Sequence, residues 1–122
     1  MSVSKLEPVL AHIDANIEIA TAHLFDLLRI PSISTDPNFK VDCDKAADWL
    51  VQDLKSIGFD ASKRITPGHP MVLAHAGDAG THLMFYGHYD VQPVDPLDLW
   101  DNPPFEPVLE PGDLGPIIRA RG

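Results

Sequence analysis

A chain of 122 residues has room for one small core, and its nine basic against eighteen acidic side chains leave a formal charge of -9. That balance repels phosphate backbones and argues against nucleic acid as a partner. Cys43 is the only cysteine, which excludes an internal disulfide and a thiolate metal cluster and points to a reducing, cytoplasmic setting, while the opening MSVSKLEPVLAHIDANIEIA has neither an apolar signal core nor a membrane-crossing run.

Over residues 5–30 the apolar positions Val9, Leu10, Ile13, Ile17, Ala20, Leu24, Leu27 and Leu28 recur at helical spacing and predict an amphipathic helix that Pro31 stops. SISTDPN reads as loop. Asp42 is the expected N-cap of a second helix running to Ile57, with Ala46, Leu50, Leu54 and Ile57 facing inward and Gly58 supplying a left-handed C-terminal residue. After Gly58 the period changes to two: FDASKRI alternates as a strand exposed on one side, and PGHP turns the chain. MVLAHA is the next strand, and the short GDAG link requires any pairing with THLMFYGH to be antiparallel. HLMFYG reads as a buried central strand. Beyond Asp90 the proline-rich stretch QPVDPLDLWDNPPFEPVLEPGDLG lacks periodicity, Trp100 and Phe105 are expected to pin it to the body, and IIRARG is a last strand. The fold class expected is layered α/β, with two amphipathic helices covering a small, mixed, incomplete sheet.

The segment carrying chemistry is Gly87-His88-Tyr89-Asp90-Val91-Gln92-Pro93, where an apolar run ends and an irregular loop begins. A histidine there can offer a ring nitrogen to zinc, and a carboxylate two residues on can orient the ring through its second nitrogen. In extended chain, residues two apart project to one side, so His88 and Asp90 can face one cavity. A lone H-x-D is nevertheless more often a hydrogen-bonded strand end than a ligand site. Other polar residues have plainer assignments. His12 and His23 are surface or boundary helix residues and His69 belongs to a turn. His75 and His82 can face each other across the expected hairpin and mimic a metal pair, but packing or hydrogen bonding is the commoner fate. Ser32 and Ser34 lack the glycine-flanked elbow of a nucleophile and read as loop caps. Cys43 reads as a small buried side chain, and Asp95, Asp98 and Asp101 as a solvated loop face.

Five ordered segments change the weight of that motif: LLRIPSIS at 27–34, GHYDVQP at 87–93, LW at 99–100, PPFEP at 103–107 and RARG at 119–122. In order and spacing they resemble the zinc peptidase family of acetylornithine deacetylase, succinyl-diaminopimelate desuccinylase and carnosinase-type dipeptidases. The resemblance implies that His88 is the first zinc ligand and Asp90 the catalytic carboxylate that positions it, in a complete enzyme holding two zinc ions. It implies residues 1–122 as the N-terminal portion of a metallopeptidase catalytic domain, with the bridging aspartate, the glutamate pair, the last histidine ligand and a lid and dimerisation domain all beyond Gly122. Expected substrates are short peptides cut in dipeptidase or carboxypeptidase fashion, with N-acyl amino acids as the deacylase alternative, and the expected assembly is a homodimer of the full-length protein. One imidazole does not hold zinc tightly, so the 122 residues alone are expected to be inactive. A non-catalytic assembly or regulatory remnant of the same scaffold is the alternative from another class. GDLGPIIRARG departs from the family's usual short aspartate-glycine turn, which leaves the strand register there open.

Overall fold

The computed structural model describes residues 3–122. Helix α1 (Val3–Leu28) and helix α2 (Lys40–Ser56) are followed by strands β1 (Asp60–Arg64), β2 (Met71–His75), β3 (Val108–Glu110) and β4 (Ile117–Arg119). The α/β class read from the sequence holds. The sheet is built as two antiparallel ribbons, β1 with β2 and β3 with β4, and a lone parallel bridge joins Ile33 to Val91.

Helix α1 follows the predicted stripe and ends two residues before Ile30, where the chain straightens into Pro31. Much of that stripe stays in solvent, with Val9, Leu10, Ile13, Ile17 and Leu24 all exposed. His23 ties the helix to α2 through an Nδ1 to Asp53 Oδ1 contact of 3.0 Å and lies edge-on to Trp49.

Helix α2 begins earlier than the expected Asp42 cap. Asp36 accepts a hydrogen bond from the Asn38 amide at 2.9 Å, Pro37 follows it, and the resulting 3-10 turn (Pro37–Phe39) runs directly into Lys40. Proline tolerates a first-turn position because its missing N–H has no intrahelical partner there, so the turn starts as soon as the chain can wind. Asp42 is left in the first turn, where a carboxylate suits the positive end of the helix dipole. The other end matches expectation. Gly58 has φ +95°, its amide bonds the Lys55 carbonyl at 3.1 Å, and the Phe59 amide reaches back to Leu54 at 3.0 Å. This pair of bonds closes the helix and needs a left-handed residue. Gly58→Ala should therefore cost roughly 1 kcal/mol by forcing a Cβ into that conformation; urea unfolding with an unchanged midpoint would contradict it.

The core is small. Ile30, Ile33, Cys43, Ala46, Ala47, Val51 and Ala61 are buried, and the small side chains along α2 let it lie close on β1. Leu50 and Leu54 are only partly covered, and Ile57, expected inside, is exposed. Strand β1 pairs with β2 from Asp60 opposite His75 to Arg64 opposite Met71, so the turn containing Pro67, Gly68 and His69 closes a hairpin. On the face it shares with buried Ala61, Lys63 reaches Asp44 at 2.9 Å and Asp48 at 2.8 Å, pinning strand to helix.

Two expectations fail after His75. Strand β2 takes β1 as its partner, and HLMFYG is neither paired nor buried. Leu83, Met84, Phe85 and Tyr86 stand in solvent, with Met84 94% and Phe85 91% exposed. A buried strand requires hydrogen-bonding neighbours and a cover for its faces, and the described residues provide neither for this segment. An apolar run specifies what a segment needs, while its neighbours decide whether the need is met.

Candidate functional site

The chain returns to the body at Tyr89. Its hydroxyl donates to the Pro70 carbonyl at 2.6 Å, and its own carbonyl accepts from Ser32 Oγ at 2.8 Å. The Val91 amide donates to the Ser32 carbonyl at 3.0 Å. These bonds lay residues 89–91 alongside residues 32–34, with the buried Ile33 as the anchor beneath them. Asp90 is thereby turned toward Ser34, whose hydroxyl donates to Asp90 Oδ2 at 2.6 Å.

The other carboxylate oxygen faces His88. His88 Nδ1 lies 3.0 Å from Asp90 Oδ1 and 3.0 Å from the Asp90 carbonyl oxygen. Both partners only accept, so Nδ1 must carry the proton. In the neutral ring the lone pair then sits on Nε2, and the side chain is 74% exposed and reachable. The structure thus brings together the two residues singled out in the sequence, and their spacing works through an extended segment as expected. The Ser34 hydroxyl, followed by the His88 contact, holds the Asp90 carboxyl below the usual carboxylate range, outweighing partial burial. A group depressed on folding contributes stability above its unfolded pKa of about 3.9, and that contribution is lost as pH falls through the lower folded value. A carbon-13 titration should give Asp90 a midpoint below about 3.9, and a midpoint at or above it would contradict this geometry.

The loop beyond the pair is held from the far end of the chain. Arg121 donates from Nε to the Gln92 carbonyl at 3.0 Å and from Nη2 to the Pro93 carbonyl at 2.9 Å, and its guanidinium lies 5.8 Å from the Trp100 ring centre. Trp100 Nε1 donates to Val94 at 2.8 Å, and the Arg121 amide donates to Pro104 at 2.7 Å. Trp100 thus ties the loop to itself and to Arg121, a local clasp in place of the anticipated pin to the body. The register left open near the end resolves into β3 and β4, with Leu109 opposite Ile118 and Glu110 opposite Ile117, and the Glu110 carboxylate forms a diagonal ion pair with Arg119.

His69 joins the neighbourhood of the pair through the Ser34 carbonyl, and the other histidines stay apart from it. His12 contacts Asn16, and His23 contacts Asp53. His75 and His82 have ring centres 5.7 Å apart, without the hairpin expected to align them. Cys43 is fully buried, and burial, followed by the nearby Asp90 and Asp42 charges, raises its thiol pKa. Asp95, Asp98 and Asp101 are exposed. Sequence reasoning missed four contributors, His69 among them. Ser34 and Ser32 were read as loop caps although both lie inside the LLRIPSIS match, and Arg121 was read only as the end of a strand.

As a ligand set, the residues fit one position. His88 offers an exposed imidazole nitrogen whose partner nitrogen is held by a carboxylate, as in histidines that bind zinc. Among the described residues no group of three or more histidine, cysteine, aspartate or glutamate side chains is gathered to complete a shell.

Comparison with known proteins gives relatives on both sides of the peptidase and deacylase division. The chain is 38% identical over 89 residues to succinyl-diaminopimelate desuccinylase from Aromatoleum aromaticum, covering 73% of this chain and 22% of the relative. It is 40% identical over 65 residues to the enzyme of the same name from Azoarcus sp., covering 53% of this chain and 17% of that relative. Among solved structures it superposes on the dipeptidase Dug1p from Saccharomyces cerevisiae with a TM-score of 0.83 and 27% identity, over 96% of this chain and 27% of that one. No family model matches. The chain therefore spans about a fifth of the length of the curated relatives it matches.

Proposed function

We propose that the chain, which is similar to succinyl-diaminopimelate desuccinylases and to the Dug1p dipeptidase, is the N-terminal portion of the catalytic domain of a zinc-dependent amide hydrolase of the peptidase and deacylase family. The observation that carries this reading is the His88–Asp90 pair, with Nδ1 committed to the carboxylate and Nε2 open. His88 would hold one zinc ion through Nε2, and Asp90 would fix the ring's tautomer and orientation and raise its basicity. Zinc, when bound, supplies Lewis-acid polarisation of an amide carbonyl and a water nucleophile at neutral pH. The remaining ligands and the general base are assigned to chain beyond Gly122, as are the lid and the homodimer contact. The uncovered run of Leu83 to Tyr86 is consistent with a sheet that further chain completes.

Short peptides with a free carboxylate are the first substrate class, favoured by the 96% coverage of this chain on the dipeptidase fold. N-acyl amino acids are the second, favoured by the desuccinylase relatives. No described helix is long and apolar enough to cross a membrane. Full-length protein assayed on a dipeptide panel and an N-acyl amino-acid panel decides between the classes: hydrolysis concentrated on the first supports the peptidase, on the second the deacylase, and inactivity on both removes the assignment. The isolated 122 residues should show no tight saturable zinc uptake by calorimetry at neutral pH, because one imidazole leaves the shell unfilled.

A further inference from the structure

The geometry points to Ser34 as the residue that positions Asp90, and through it His88, from the carboxylate's far oxygen. Asp90 is held at both oxygens, Oδ1 against His88 Nδ1 at 3.0 Å and Oδ2 by the Ser34 hydroxyl at 2.6 Å. An aspartate tethered only through its histidine could swing about χ2, since the terminal carboxylate torsion is broad. The hydroxyl on the far oxygen removes that freedom.

Ser34 is itself held. His69 Nε2 lies 2.8 Å from the Ser34 carbonyl oxygen, an acceptor, so this nitrogen carries the proton and donates. That commitment leaves His69 Nδ1 as a buried polar atom without a partner. Thr66 Oγ1 donates to the His69 carbonyl at 2.7 Å and accepts from the Gly68 amide at 3.1 Å, which fixes the turn presenting His69. On the neighbouring residues Ser32 Oγ and the Val91 amide fasten the two segments to each other. The order of dependence runs from the hairpin turn through His69 to Ser34, then to Asp90 and the ring of His88. Ser34 reaches His88 through Asp90, its hydroxyl on one carboxylate oxygen and the ring on the other.

This inference rests on His88 as the ligand, but its first readout does not require metal. In metal-free full-length protein labelled with nitrogen-15 histidine, His88 should appear as the Nδ1–H tautomer. Ser34→Ala should convert it to a mixture, and Ser34→Thr, which keeps the hydroxyl, should restore the single form. With zinc supplied, Ser34→Ala should lower kcat by about tenfold, the lower end of the range for groups behind a ligand, with KM within about twofold. Ser34→Cys, close in size but a weak donor, should behave like alanine and so separates loss of the donor from loss of packing. An unchanged His88 tautomer in folded Ser34→Ala and Ser34→Cys proteins, with kcat within about twofold of wild type, would overturn the assignment. A tautomer that responds to Ser34 in a protein that neither takes up metal nor hydrolyses amides would uphold the positioning and remove the hydrolase reading instead.

Discussion

Replacing His88 with alanine in the full-length protein should abolish measurable hydrolysis and lower zinc occupancy, whereas Asp90→Asn should leave most of the metal in place and slow turnover by roughly 10–100-fold. The two expectations differ because, in the proposed site, His88 would bind the metal directly and Asp90 would stand behind it, against Nδ1. Removing the imidazole would delete a donor from the proposed zinc site, since catalytic zinc sites use three protein ligands, and among the described residues no group of three or more potential ligands is gathered to compensate. Converting Asp90 to asparagine keeps a carbonyl oxygen able to accept from Nδ1, but it removes the charge that raises the ring's basicity. It also removes one of the two acceptor sites that hold His88 and Ser34 together, since an amide group can turn its NH2 toward only one of them. Metal analysis alongside steady-state kinetics separates these effects. The reverse pattern, with metal lost from Asp90→Asn and retained by His88→Ala, would contradict the assigned roles.

The second large effect is on stability. Ile33 is 2% exposed and sits between the two serines that fasten the site, in the parallel bridge to Val91. Ile33→Ala should cost about 2–4 kcal/mol, combining lost burial with a cavity that the surrounding bonds prevent from closing. That is a large share of the 5–15 kcal/mol typical of a whole domain. Ile33→Val should cost only about 1 kcal/mol, and Ile65→Ala, at an exposed position, within about 0.5 kcal/mol. Equal denaturation midpoints for Ile33→Ala and Ile65→Ala would show that the bridge is not the anchor described.

Much of this architecture is legible in the residues because it is set locally. The stripe of α1, the stop at Pro31, the left-handed Gly58 and the alternation in β1 each depend on neighbours within one turn or one pleat. The start of α2 was misplaced because Asp36 and Pro37 together wind a turn that Asp42 alone would have begun later. HLMFYG was misjudged for a different reason. Its composition specifies a strand needing cover on both faces, and composition does not state whether that cover lies within the same 122 residues. The His88–Asp90 pair was readable because two residues two apart in extended chain share a side whatever lies around them. Ser34 was not, since it lies 56 positions away and its role depends on the parallel bridge that brings the two segments together. His69 entered the network in the same way, across 35 positions, from a turn whose sequence signals only a bend.

The central claim is that Nδ1 of His88 belongs to Asp90, so that Nε2 is the nitrogen given to the metal. Anomalous scattering at the zinc edge from crystals of the full-length protein tests it directly. A peak at about 2.0–2.1 Å from His88 Nε2, with Asp90 still against Nδ1, is the predicted result. Metal bound elsewhere with His88 uninvolved, or bound through Nδ1 with Asp90 displaced, would contradict it.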